Sequence, residues 1–71
     1  MKTSDLKVTL NGKERKVRKG ATLTDLLDEV GARRESTAVA VNHFVIPRSE
    51  LAGRVLREGD AVEIIEAVGG G

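Results

Sequence analysis

The sequence has no cysteine and a single histidine, which excludes zinc-finger, iron–sulfur and thiol-redox chemistry built from its own side chains. Its small core therefore has neither disulfides nor a metal-ligand cluster to reinforce it. Phe44 is the only aromatic residue, so a base-stacking platform for nucleic acid has almost nothing to build with. An excess of charge is missing too: 12 basic and 11 acidic residues leave a formal net charge of +1, no overall electrostatic case for a nucleic-acid partner. No apolar run is long enough to span a membrane, and the amino terminus lacks the apolar core of a signal peptide. Seventy-one residues make one domain, with little room for an enclosed pocket, and no serine nucleophile stands in a readable pattern with a base. These absences predict a small, soluble, cytoplasmic protein that is not an enzyme by itself and that binds neither nucleic acid nor membrane.

What the chain does have is clear periodicity. Leu6, Val8 and Leu10 alternate with Lys7 and Thr9, the period-two pattern of a strand with one buried face. Asn11-Gly12 follows, and both residues suit the positive φ that a type I′ hairpin turn requires. With that two-residue loop, Leu10 pairs with Lys13, Val8 with Arg15 and Leu6 with Val17. The returning strand, 13–18, is mostly basic and belongs at a sheet edge, where lysine and arginine discourage further pairing and keep the free chain monomeric.

After Gly20 a helix begins. Thr22 is a good N-cap and Asp25, three residues on, can complete a capping box. Leu23, Leu26, Leu27 and Val30 fall at i, i+3, i+4 and i+7, one apolar stripe, and Gly31 suits the left-handed residue that ends a helix. A polar connection over 32–37 leads to a strand from Ala38 to Val41, a turn at Asn42-His43, and a short strand Phe44-Val45-Ile46 stopped by Pro47. Ser49 to Ala52 reads as one helical turn capped by Ser49, and Glu58-Gly59-Asp60 as a further turn.

The last strand, Ala61 to Val68, is apolar on both faces: Val62, Ile64 and Val68 on one, Ala61, Ile65 and Ala67 on the other. Such a strand sits centrally in a sheet or offers one face to a partner. One helix must then cover one face of a mixed sheet of four or five strands. The resulting α+β arrangement, with the last strand beside the first, is the β-grasp or ubiquitin-like architecture. Leu26, Leu27, Val62 and Ile64 are its expected helix–sheet core. Ile65, facing away from the helix, is either a partly shielded surface residue or part of a docking patch.

Behind this strand comes Val68-Gly69-Gly70-Gly71. Glycines in a row have no packing use and lose the most entropy when ordered. They offer slenderness: four extended residues reach at most about 14 Å and can carry a carboxylate into a narrow cleft. The expected organisation is a folded domain over 1–67 and a flexible tail over 68–71.

With these pieces in order, the chain resembles the ThiS family, the small sulfur carriers of thiamine biosynthesis. The resemblance rests on Leu10-Asn11-Gly12, on Gly20 to Leu27, on Ala38-Val39-Ala40-Val41-Asn42, on Val45-Ile46-Pro47-Arg48-Ser49, on Glu58 to Ile64, and on the ending Ala67-Val68-Gly69-Gly70-Gly71. It implies that Gly71 is the reactive residue. A ThiF-type adenylating enzyme would use ATP to activate its carboxylate. A cysteine desulfurase or rhodanese-type donor would supply sulfur, and the thiocarboxylate so formed would pass sulfur to thiazole synthase, ThiG. The chain itself would bind no cofactor or metal. Val68, Gly69, Gly70 and Ile65 would meet the partners.

Two other readings use the same residues. Another ubiquitin-like carrier, such as the small subunit of molybdopterin synthase, or a ubiquitin-like protein modifier would share the fold; the molybdopterin protein has proline before its glycine pair, where Ala67-Val68 stands here. A plain interaction module would make no use of the tail. His43 in its turn, the basic group Lys13, Arg15, Lys16, Arg18 and Lys19, and the pair Arg33-Arg34 all read as solvated surface.

Overall fold

The structure, a computed structural model, describes residues 5–32 and 37–66. The elements are β1 (Asp5–Leu10), β2 (Lys13–Arg18), α1 (Leu23–Val30), β3 (Thr37–Val41), β4 (Phe44–Ile46), a 3₁₀ helix (Arg48–Gly53) and β5 (Ala61–Glu66). They form one mixed five-stranded sheet in the order β2-β1-β5-β3-β4. β5 is central, parallel to β1 and antiparallel to β3. This is the β-grasp arrangement expected from the apolar pattern of the last strand. The parts of the expected elements at 33–36 and 67–68, and the whole of 68–71, lie outside the described residues.

The β1–β2 hairpin has the register set by its two-residue turn, with Leu10 opposite Lys13, Val8 opposite Arg15 and Leu6 opposite Val17. Asn11 and Gly12 both have positive φ, 52° and 87°, which makes the turn type I′ and matches the twist of the strands. β2 lies at the edge. Its basic residues do not form one patch, because alternation sends Lys16 and Arg18 to the face opposite Lys13 and Arg15.

α1 starts with a complete capping box. The Asp25 N–H donates to Thr22 Oγ1 at 3.2 Å, and the Thr22 N–H donates to Asp25 Oδ2 at 3.0 Å. Gly31 ends the helix in the left-handed region at φ 76°. Leu23, Leu26 and Leu27 are completely buried against Val8, Val17, Val39, Val41 and Val62. Each buried leucine contributes about 1.5–3 kcal/mol relative to an exposed one.

Four expectations need correction. Ile64 is only half-buried and packs at the rim of the core, because β5 runs on past the end of β1 and loses a neighbour on that side. Ser49 does not cap the short helix. That helix begins a residue earlier, behind Pro47, and the Glu50 N–H donates to the Pro47 carbonyl at 2.9 Å without any side-chain cap. Fixed near φ −60°, Pro47 makes the turn by itself. β1 and β3 also begin one residue earlier than the apolar pattern indicates, at Asp5 and Thr37, each paired with a residue of the neighbouring strand.

Leu51 and Leu56, which follow no period, complete the core. Leu56 is carried there by a short backbone splice: its N–H donates to the Ala21 carbonyl at 2.8 Å, and the Leu23 N–H donates to the Arg54 carbonyl at 3.1 Å. The segment after the 3₁₀ helix is thereby laced to the start of α1.

Candidate functional site

The strand that leads toward the glycines is the middle strand of the sheet, so its direction is fixed by neighbours on both sides. β3 pairs with it from Val41 opposite Val62 to Thr37 opposite Glu66. β1 pairs with it only at Thr9–Ala61 and Leu10–Val62. Just past that point Asn11 takes over: its N–H donates to the Val62 carbonyl and its Oδ1 accepts from the Ile64 N–H, both at 2.9 Å. A groove lined by Leu10, Asn11, Val30, Ala32, Ile64 and Glu66 lies beside the end of the strand.

Ile65 points away from α1, as its place in the strand requires, and is 61% exposed. Ala38 stands opposite it on β3, and Val45 of β4, itself 74% exposed, stands opposite Ala40. Alternation puts these residues on the uncovered face of the sheet, with Glu63 among them. Phe44 does not join this group. It stands opposite the core residue Val41 and so belongs to the helix-side face, where it is exposed beyond the reach of the helix.

The other half of the uncovered face is charged, with Lys7, Glu14, Lys16 and Arg18. Lys7 Nζ and Glu14 Oε2 lie 3.8 Å apart with both side chains more than half exposed, an ion pair worth little. The face is thus divided: an aliphatic half next to the end of β5 and a solvated ionic half toward β2.

Asp60 is a residue whose role sequence reading missed. It looks like an ordinary turn residue after Gly59, yet it is buried. Its carboxylate accepts from the Arg57 N–H at 2.9 Å and from Asn42 Nδ2 at 3.1 Å, and Arg54 Nη1 lies 3.7 Å away. This cluster secures the start of β5. Its spacing in sequence, 42, 54, 57 and 60, gives no periodic signal. His43 is exposed at the tip of the β3–β4 turn. No cluster of residues suited to hold a metal ion occurs among the described residues, and no helix there is long and apolar enough to cross a membrane. Of the expected site residues the structure describes Ile65; Val68, Gly69, Gly70 and Gly71 lie outside the described residues.

Comparison with known proteins gives this geometry a context. The ThiS family model matches residues 8–71. The sulfur carrier protein ThiS of Thermus thermophilus is 38% identical over 64 residues, which cover 90% of this chain and 98% of that one. A thiazole synthase of Paramagnetospirillum magneticum is 35% identical over 66 residues, 93% of this chain. The chain spans only 20% of the length of that synthase. Among solved structures, the crystal structure of the thiamine biosynthesis protein ThiS from Geobacter metallireducens superposes with a TM-score of 0.80 at 32% identity, over 93% of this chain and 100% of that one. A match running from Val8 through Gly71, on a fold shared with a solved ThiS protein along that protein's whole length, is consistent at every level: the chain belongs to the ThiS family.

Proposed function

We propose that this chain is a sulfur carrier of thiamine biosynthesis and that the carboxyl group of Gly71 holds the sulfur. The observation that carries the reading is the family match through residue 71, which includes the glycine run. The central position of β5 supports it: the strand preceding the tail is braced on both flanks, while a slender run of glycines can enter a partner's cleft.

The chemistry follows from the weakness of a carboxylate as an electrophile. With a reference pKa of about 3.5 it is ionised at neutral pH. A ThiF-type adenylating enzyme joins the Gly71 carboxylate to the α-phosphate of ATP and releases pyrophosphate. A persulfide, formed from cysteine sulfur on a desulfurase or rhodanese-type donor, attacks the acyl carbon and expels AMP to give an acyl disulfide. A thiol of a partner then cleaves the S–S bond, which releases the thiocarboxylate and leaves a disulfide on the partners. The thiocarboxylate then gives its sulfur to the substrate of thiazole synthase, and an oxygen from that substrate or from water replaces it on the acyl carbon, which regenerates the carboxylate. The chain is a co-substrate in this cycle; catalysis belongs to the partners.

The body has its own part. Ile65, with Ala38 opposite it on β3 and Val45 farther across the same face on β4, supplies an aliphatic docking surface next to the tail, and Val68, Gly69 and Gly70 thread the cleft. Thiazole synthase as a partner is supported by the longer thiazole synthases of which a ThiS-like segment makes up 20%. Deleting Gly70 and Gly71 tests the proposal in a mixture of adenylating enzyme, ATP, sulfur source and thiazole synthase. Thiazole formation is expected to stop while the melting curve stays in place. Undiminished thiazole formation by the shortened chain would contradict the reading and favour a module whose tail is irrelevant.

A further inference from the structure

β5 is held unequally on its two flanks. Toward β3 the pairing extends to Glu66, but toward β1 it ends at Val62, because the chain turns away at Asn11 and Gly12. From there on, the described hydrogen bonds on the β1 flank come from Asn11. Its backbone N–H reaches the Val62 carbonyl, and its Oδ1 receives the Ile64 N–H, at 2.9 Å each. The side-chain oxygen stands in for the next carbonyl of a longer β1.

The turn does not need that oxygen. A type I′ turn asks only for positive φ at this position, and glycine meets the requirement at lower strain than any other residue. Asn11 therefore does something a turn residue is not obliged to do. It extends the brace on β5 to Ile64, seven positions before Gly71.

We propose that Asn11 is a positioning residue for the activation of Gly71: by holding the Ile64 N–H it fixes the end of β5, and so the place and direction from which residues 67–71 set out for the partner's active site. The inference rests on the reading of Gly71 as the activated residue. Loss of the oxygen should barely affect folding. Ile64 borders an open groove, where water can replace the lost acceptor. Delivery of the carboxylate is more sensitive, because a misplacement of about 1 Å can cost about 100-fold in rate. Docking of the body governs KM, whereas arrival of the tail in reactive geometry enters kcat.

Asn11→Gly and Asn11→Asp, each in the full chain, separate these effects. Glycine keeps the turn and removes the oxygen; aspartate keeps an acceptor at the same reach. Pyrophosphate exchange into ATP by a ThiF-type adenylating enzyme gives kcat and KM for each carrier, and NMR hydrogen exchange reads the Ile64 amide. Asn11→Gly is expected to lower kcat about tenfold or more with KM changed less than about twofold, and to speed exchange at Ile64. Asn11→Asp should restore both. Wild-type kcat in Asn11→Gly, or a loss in Asn11→Asp as large as in glycine, would overturn the proposal. If the wild-type chain supports no pyrophosphate exchange, the reading of Gly71 fails instead. The amide measurement then still tests the brace, and an Ile64 amide unaffected by Asn11→Gly would refute it.

Discussion

Asn42 and Asp60 lock the β3–β4 turn to the start of β5. Asn42 Nδ2 donates to an Asp60 carboxylate oxygen at 3.1 Å, and Asn42 Oδ1 accepts from the N–H of Ala61, the residue after Asp60, at 3.0 Å. The Asn42 N–H closes the link by donating to the Ala61 carbonyl at 2.8 Å. One asparagine thus joins the turn between β3 and the edge strand β4 to the central strand.

Removing the Asp60 side chain strips partners from the Arg57 N–H and Asn42 Nδ2 in a buried setting and takes away the carboxylate 3.7 Å from Arg54. Asp60→Ala is expected to destabilise the fold by about 2–3 kcal/mol. Asn42→Gly keeps the positive φ of 53° at that position and should cost less, about 1 kcal/mol. Urea unfolding of the two variants measures both. Equal and negligible effects would show that the cluster is ornamental.

The core makes a similar demand. Leu26 and Leu56 are both almost fully buried, at 1% and 2% exposure, so truncating either to alanine is expected to cost about 2–5 kcal/mol. In a domain this small that is a large share of the total stability. Leu56→Ala should also loosen the splice to Ala21, visible as faster amide exchange at Leu23 and Leu56.

His43 occupies the second position of a turn in which both central residues have positive φ, 53° and 73°. A side chain there bears strain that glycine avoids. His43→Gly should stabilise the fold by about 0.5–1 kcal/mol, and a thermal melt decides it. A lower melting temperature would mean that the imidazole makes a favourable contact worth more than the strain.

Ile65→Asp distinguishes a docking face from a bare display of the tail. Its side chain is largely in solvent, so stability should change by less than about 0.5 kcal/mol. Affinity for the adenylating enzyme or thiazole synthase should fall, as titration of each partner would show. Unchanged affinity for both would leave recognition to the tail alone.

How much of this could be read in advance depended on whether a residue's role was periodic. The hairpin register was legible because Asn11-Gly12 fixes a two-residue loop, and the helix because Thr22, Asp25 and Gly31 bracket a regular apolar stripe. The central place of β5 was legible because Ile64 and Ile65 are adjacent and both apolar. Leu56, Arg57 and Asp60 were not, since their positions come from long-range splices and a carboxylate cluster that leave no spacing signal. The cap expected of Ser49 failed because Pro47 already sets the turn. The paired bonds of Asn11 to β5 were hidden behind a turn motif that explains asparagine without them.

The central claim is chemical and lies in the last residue. Intact mass spectrometry after incubation with ATP, a ThiF-type adenylating enzyme and a sulfur source tests it most directly. A gain of about 16 Da is expected, the exchange of one acyl oxygen for sulfur, placed by fragmentation on Gly71. An unchanged mass, under conditions in which the same enzyme converts another carrier, would contradict it.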